Sequence, residues 1–298
     1  MLIDAVSAVG RGGTVFYHDG GKLQYEVEVE EPDPAFAKML QQAIGGVEGE
    51  MRVALQYLFQ AWALPQKHDE YRHALLETAT EELGHIEMLA TAVAKNLEGA
   101  PVELREQMSQ DRAVNAAMSG MQPRQLLSSG LHAMPVDSNG FPFNGNYVVA
   151  SGNLAADMYA NVMAESTGRL LATRLWEATD DEGMKDMLSY LIARDTMHQN
   201  QWLALLQDLG DPEDMFDHLP VPDSFPDDKE NEEFNYSFMS TDVNEPQDPE
   251  KRWTQGESVD GEGTFSFIRE QDQDGPKANL QSPNPKTHNE VKEQGEDD

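Results

Sequence analysis

The sequence predicts an all-α protein: a four-helix bundle with one long crossover, plus an extended C-terminal arm with little regular structure. Three observations predict it. Four long stretches carry apolar residues at helical spacing. They fall into two pairs, each joined by a short loop, and residues 99–150 between the pairs are punctuated by Gly120, Gly130, Pro135, Asn139-Gly140, Pro142 and Asn144-Gly145-Asn146, which leaves room for a crossover along the bundle. After Gly210 the composition shifts to Pro, Asp, Glu, Asn and Gln. The expected layout is an N-terminal extension over 1–14, a bundle with its N-terminal arm over 15–210, and an acidic arm with a mobile tail over 211–298.

In chain order, Phe16-Tyr17-His18, a Gly-Gly turn and the alternation of Leu23, Tyr25, Val27 and Val29 suggest a short strand or extended arm over 15–31. Asp33 is an N-cap with Pro34 in the first turn. Helix one is expected over 34–64, stopped by Pro65, with Ala43, Gly46 or Val47, Glu50, Val53, Ala54, Tyr57 and Ala61 facing inward. Gly45, Gly46 and Gly49 lower helix propensity around Glu50 and permit the close backbone approach that a crowded metal core needs.

Helix two is expected over 69–97, with a stop at Gly99-Ala100-Pro101. The short loop before it makes the first two helices antiparallel neighbours. Small helices are expected near 104–118 and 123–131. Helix three, over 153–178, places Leu154, Met158, Val162, Glu165, Gly168 or Arg169, and Ala172 on one stripe. Helix four, over 181–209, does the same with Leu188, Leu191, Asp195, His198, Trp202 and Leu205. A disordered tail rarely keeps aromatics such as Phe225, Phe234, Tyr236, Phe238, Trp253, Phe265 and Phe267, so the arm is expected to pack on the bundle or on a neighbouring subunit.

Composition narrows the function. Lys+Arg of 21 against Asp+Glu of 54 gives a formal charge of -33, a surface that repels nucleic acid and anionic membranes. The charge is spread along helix surfaces as well as the tail, which reads as halophilic adaptation to a salt-rich cytoplasm. The absence of cysteine excludes disulfides, iron-sulfur clusters and thiol catalysis. No apolar run is long enough to span a bilayer. Residues 1–14 lack the marks of a signal peptide.

The chemistry centres on Thr80-Glu81-Glu82-Leu83-Gly84-His85-Ile86-Glu87-Met88. On a helix Glu82 and His85 leave one face toward one point, a metal-ligand spacing. Asp195-Thr196-Met197-His198 repeats the spacing, and each match follows a lone inward Glu on the preceding helix, Glu50 in one pair and Glu165 in the other. A buried carboxylate is costly unless a cation neutralises it. No compact tetrahedral zinc set and no His-Glu-x-x-His are present, so a zincin protease is excluded. The pattern is that of ferritin-like carboxylate proteins, in which hard carboxylates bridge two divalent cations and one imidazole anchors each.

The residues also resemble a named family. Phe16-Tyr17-His18, Lys22-Leu23-Gln24-Tyr25, Gly45-Gly46-Val47-Glu48-Gly49-Glu50, the Thr80–Met88 stretch, Ser151-Gly152-Asn153-Leu154-Ala155-Ala156-Asp157-Met158 and Ala193-Arg194-Asp195-Thr196-Met197-His198-Gln199 are similar to the manganese catalases, over residues 15–288. The resemblance implies two manganese ions per subunit, with Glu50 and His85 on one, Glu165 and His198 on the other, and Glu82 between them. It implies disproportionation of hydrogen peroxide, the pair cycling between Mn(II)2 and Mn(III)2, in a homohexamer.

By the same resemblance Asp195 is a proton acceptor beside the open coordination site, and Tyr57 hydrogen-bonds the ligand shell. Spacing alone would instead make Asp195 a ligand, and Tyr57 also reads as an ordinary core tyrosine. Two positions depart from the family. Ala164 stands where a basic residue often precedes the third-helix Glu, and Arg169 is one turn on. A calcium site between subunits would fall on His73, Glu77, Ser240 and Asp242, of which His73 is a poor calcium ligand. The family's chains start with Met-Phe at the position of Val15-Phe16, so residues 1–14 are expected to be a start-site artefact. Two other readings use the same residues: a di-iron oxidase or peroxidase, since the ligands do not fix the metal, and a non-catalytic acidic shell or storage protein.

Overall fold

The structure, a computed structural model, describes residues 21–98, 128–210, 235–239, 253–261 and 263–268. Among the described residues, five α-helices lie in the first of two compact units, residues 1–222: α1 Pro34–Gly45, α2 Glu50–Ala63, α3 Asp69–Glu98, α4 Leu154–Glu177 and α5 Glu182–Asp208. Asp33 caps α1 by accepting from the Ala35 and Phe36 amides, Asn153 caps α4 and Asp181 caps α5. The boundaries of the last three helices fall within a residue of those expected.

The first expected helix is two. Between Gly45 and Glu50 the chain leaves helical geometry, and Gly46 and Gly49 are both extended. A Cβ on Gly49 would sit 2.7 Å from the Ile44 carbonyl oxygen, and one on Gly45 would sit 2.5 Å from the Val136 carbonyl. The glycines therefore serve the break and the docking of the crossover rather than the metal core itself. The break also decides between two inward candidates: Gly46 is buried and Val47 is 41% exposed.

No strand forms over the described part of the N-terminal arm, residues 21–33. Its polar groups are bound instead by helices: the Glu30 amide donates to Asp181, Gln24 donates to the Glu81 carbonyl, and Lys95 donates to the Val27 carbonyl. Tyr25 stacks on Tyr190 at 4.6 Å between ring centroids. The crossover is clasped in a similar way. Gln41 exchanges hydrogen bonds with Met134, Gln56 accepts from the Val149 amide, and Gln60 donates to the Val149 carbonyl. Residues 128–131 turn and bend rather than continue a helix. The rest of the two small crossover helices lies outside the described residues, as do residues 1–14.

The apolar core is divided. One cluster includes Phe36, Leu40, Met88, Leu89, Val93, Leu175, Met187, Leu188 and Leu191; the other includes Val53, Tyr57, Leu75, Ala79, Met158, Trp202 and Leu206. Helices α3 and α4 both run from the second cluster to the first, whereas α1–α2 and α5 run the other way. Parallel α3 and α4 require a connection along the whole bundle, which is what the crossover supplies.

The second unit, residues 223–298, holds a three-stranded sheet: β1 Ser237–Met239, β2 Gly256–Glu257 and β3 Thr264–Ile268, in the order β1-β3-β2. β1 is parallel to β3, with Ser237 opposite Ser266, and β2 is antiparallel to it. The arm thus has a little regular structure where residues alternate as Thr264-Phe265-Ser266-Phe267.

Candidate metal centre

Between the two apolar clusters lies a polar layer. Each long helix crosses it, and the residues it leaves there are the acids and histidines singled out above. On α3 the apolar face runs Leu75, Ala79, then Glu82 and His85, then Met88 and Leu89. On α5 it runs Leu188 and Leu191, then Asp195 and His198, then Trp202 and Leu206. Glu165 follows Met158 and Asn161 on α4, and Glu50 opens α2. A carboxylate in the first turn of a helix faces unpaired amide dipoles, which favours its charge.

Glu82 and His85 are fully buried, His198, Glu165 and Asp195 nearly so, and the Glu50 side chain is 13% exposed. Glu82 stands at the middle: its Oε2 is 2.6 Å from His85 Nδ1 and its Oε1 is 2.9 Å from His198 Nδ1. His85 Nδ1 is also 3.7 Å from Glu50, and His198 Nδ1 is 3.7 Å from Glu165. Donor atoms of Glu50, Glu82 and His85 lie within 4.8 Å of one another, and so do those of Glu82, Glu165 and His198. The two groups share Glu82. Asp195 belongs to neither, although spacing alone would have made it a ligand.

The electrostatics match two cation sites with one common ligand. Burial, then the charge of Glu82, pushes Glu50 and Glu165 each up to about 8. Burial also raises Glu82, but the His85 and His198 charges beside it outweigh this and hold it well below the usual carboxylate range. Burial lowers His198, and the carboxylates of Glu81 and Glu82 facing its ring reverse the effect, lifting it to about 10. Asp195 is pushed well up by burial and by the charges of Glu50 and Glu82. Among the described residues, Glu82 Oε1, His85 Nε2 and both ring nitrogens of His198 are buried without a hydrogen-bond partner. Buried orphans of this kind are costly, and a hard divalent cation suits this set of carboxylate and imidazole donors. The residues therefore fit a metal pair.

Tyr57, fully buried on α2, donates a hydrogen bond to Glu165 Oε1, and the Trp202 indole N–H lies 3.3 Å from the Tyr57 hydroxyl and 3.4 Å from the same carboxylate oxygen. Burial first, then the Glu165 charge, raises the Tyr57 phenol well above its ordinary range, so it stays a donor. Sequence reasoning missed the acceptor on the outer side. Glu81 faces both imidazoles, 3.5 Å from His85 Nε2 and 3.2 Å from His198 Nε2, and Arg194 grips it through Nε at 2.6 Å and Nη2 at 3.2 Å. The signal was present as i,i+4 spacing, Glu81 to His85 and Arg194 to His198, but only packing of α3 on α5 joins the two pairs.

The other candidates stay apart from this layer or outside the described residues. His73 and Glu77 are 3.8 Å apart on the exposed face of α3, with side chains 67% and 62% exposed, while Ser240 and Asp242 lie outside the described residues. Arg169, one turn after Glu165, is half-buried, its Nη1 3.4 Å from the Thr196 hydroxyl. No helix among the described residues is long and apolar enough to cross a membrane.

Comparison with known proteins agrees with this geometry. The family model described as manganese containing catalase matches residues 15–297. A manganese catalase of Bacillus subtilis (strain 168) is 45% identical over 267 residues, 90% of this chain and 95% of the relative. One from Lactiplantibacillus plantarum is 42% identical over 188 residues, 63% of this chain and 70% of the relative. The crystal structure of KatB, a manganese catalase from Anabaena, superposes with a TM-score of 0.64 at 22% identity, covering 85% of this chain and 99% of that one, which shows the shared fold. With the ferritin-like helix order, a buried carboxylate common to two donor groups and a match over nearly its whole length, the chain belongs to the manganese-containing catalase family.

Proposed function

We propose that the chain disproportionates hydrogen peroxide to water and dioxygen at two manganese ions per subunit, with Glu50 and His85 on one, Glu165 and His198 on the other and Glu82 bridging. The observation that carries this reading is that Glu82, fully buried, belongs to both groups of donor atoms. Manganese bound there supplies a two-electron couple, so that one peroxide is reduced to water and another is oxidised to dioxygen. Two peroxides give two waters and one dioxygen, and no external reductant is consumed.

The chain's own part is to hold charge and move protons. Three carboxylates offset most of the charge of two divalent cations, and two imidazoles complete the set without adding any. Tyr57, backed by Trp202, fixes the orientation of Glu165. Asp195, buried in the same layer but in neither donor group, accepts the proton that peroxide gives up and returns it to the departing water.

Protein purified without added metal tests the reading by elemental analysis and an oxygen electrode. Manganese near two per chain with oxygen evolution in the absence of reductant is expected. Iron in its place, or turnover only with a reductant, overturns it.

The finer setting is inferred as well: a homohexamer, in a salt-rich cytoplasm, built of a bundle over 15–210 and an arm over 211–298. Exposed apolar side chains such as Phe59, Trp62 and Met163 support burial against other subunits. A light-scattering mass of one chain would count against assembly, and equal stability in dilute and multimolar salt against the halophilic setting.

A further inference from the structure

We propose that Glu81 is a positioning residue for both metal sites at once, holding His85 and His198 with Nδ1 inward and so tying the filling of one site to that of the other. This rests on the ligand assignment above. Glu81 adjoins Glu82 on α3 but turns to the outer side of the imidazoles, where a quarter of its side chain meets solvent. Its two oxygens divide between the rings, Oε1 toward His85 Nε2 at 3.5 Å and Oε2 toward His198 Nε2 at 3.2 Å. On the inner side the two oxygens of Glu82 divide between the Nδ1 atoms, at 2.6 Å and 2.9 Å. Each ring thus stands between the same two carboxylates. The rings lie 5.9 Å apart and nearly parallel, at 28°, so one acceptor spans both.

A neutral imidazole has one N–H and one lone pair, and an acceptor on the outer edge keeps the N–H on Nε2 and the lone pair on Nδ1, where a cation takes it. Both Nε2 atoms are buried without a hydrogen-bond partner, and the Glu81 oxygens that face them at 3.5 Å and 3.2 Å are the acceptors within reach of an N–H there. Arg194 holds Glu81 from outside by two hydrogen bonds, which keeps the carboxylate from turning to solvent. Where each ligand imidazole has its own outer partner, loss of one partner weakens one site. A shared partner makes the loss common to both.

The test is chelator competition on manganese-loaded protein, with helical content followed by circular dichroism and ion pairing by electron paramagnetic resonance. Wild-type chain is expected to hold two ions and, when half-loaded, to show the signal of coupled pairs. Glu81→Ala is expected to weaken both ions together by about 10–100-fold with helical content kept. Glu81→Gln preserves shape but offers one acceptor oxygen, so half-loaded protein is expected to show single ions. Arg194→Gln is expected to weaken both ions by less, and it decides the matter if the Glu81 variants do not fold. Wild-type retention in these variants, or weakening of one ion alone in Glu81→Ala, overturns the shared role. A wild-type chain that does not bind two ions overturns the ligand assignment itself, which separates the two failures.

Discussion

Glu50 and Glu165 approach Glu82 from different helices and meet the same electrostatic fate: burial and then the Glu82 charge push each up to about 8. Three carboxylates in one dry layer cannot all ionise without positive charge. In the metal-free chain, the Glu82 carboxylate keeps its charge beside the two imidazolium rings and the outer two keep protons. On the proposed ligand assignment, manganese takes the place of those protons.

Stability should consequently depend on pH without metal and much less with it. Glu50 and Glu165 hold their protons more tightly folded, about 8 against 4.5, so their contribution is complete below 4.5 and lost as pH rises through 8. His198, about 10 against 6.5, contributes fully below 6.5 and loses that as pH rises through 10. The Tm of metal-free protein is expected to fall across this upper window, while manganese removes the fall because its ligands are already deprotonated. Thermal unfolding at several pH values with and without manganese checks this. A metal-free Tm that climbs over the same window would contradict it.

Glu82→Ala removes the one side chain common to both donor groups. Both ions should be lost and oxygen evolution should drop by more than about 100-fold, beyond the usual effect of an outer-shell change. Elemental analysis beside the activity assay reads the outcome, and normal oxygen evolution would sink the bridging assignment.

Tyr57→Phe removes the hydroxyl that donates to Glu165 while Trp202 Nε1, 3.4 Å from the same oxygen, remains. Activity is expected to fall about tenfold with manganese content kept, and stability by about 1 kcal/mol. Unchanged turnover would return Tyr57 to an ordinary core role.

Asp195→Asn keeps the shape of a side chain that belongs to neither donor group. Two manganese ions should remain bound while turnover falls by about 100-fold or more, the usual contribution of a general base. Loss of one ion would show instead that Asp195 is a ligand.

Gly45→Ala would drive a Cβ to 2.5 Å from the backbone of Val136. The crossover must shift, at an expected cost of about 1–3 kcal/mol read as a lower Tm. An unchanged Tm would mean that the crossover is not tightly docked at this point.

The parts of the fold legible in the chain are those governed by neighbours in sequence. Asp33, Asn153 and Asp181 mark helix starts because a cap acts within three residues. Pro65 and the Gly210 region mark stops for similar reasons. The break at Gly46 was not legible, because Ala43 to Ala54 keeps a helical apolar pattern through it. The break coincides with a contact distant in sequence: Val136 of the crossover lies against Gly45.

The candidate donors were legible in the chain, since helical period sets Glu82 with His85 and Asp195 with His198, and adjoining inward stripes carry Glu50 and Glu165. Which of these donors meet depends on how the helices pack. The tertiary structure separated Asp195 from the two groups, put Tyr57 and Trp202 on one oxygen of Glu165, and set Glu81 across two rings from different helices. The physical reason is range: a helix fixes side-chain directions over a turn or two, whereas distances between helices follow from how apolar clusters pack on either side of the polar layer.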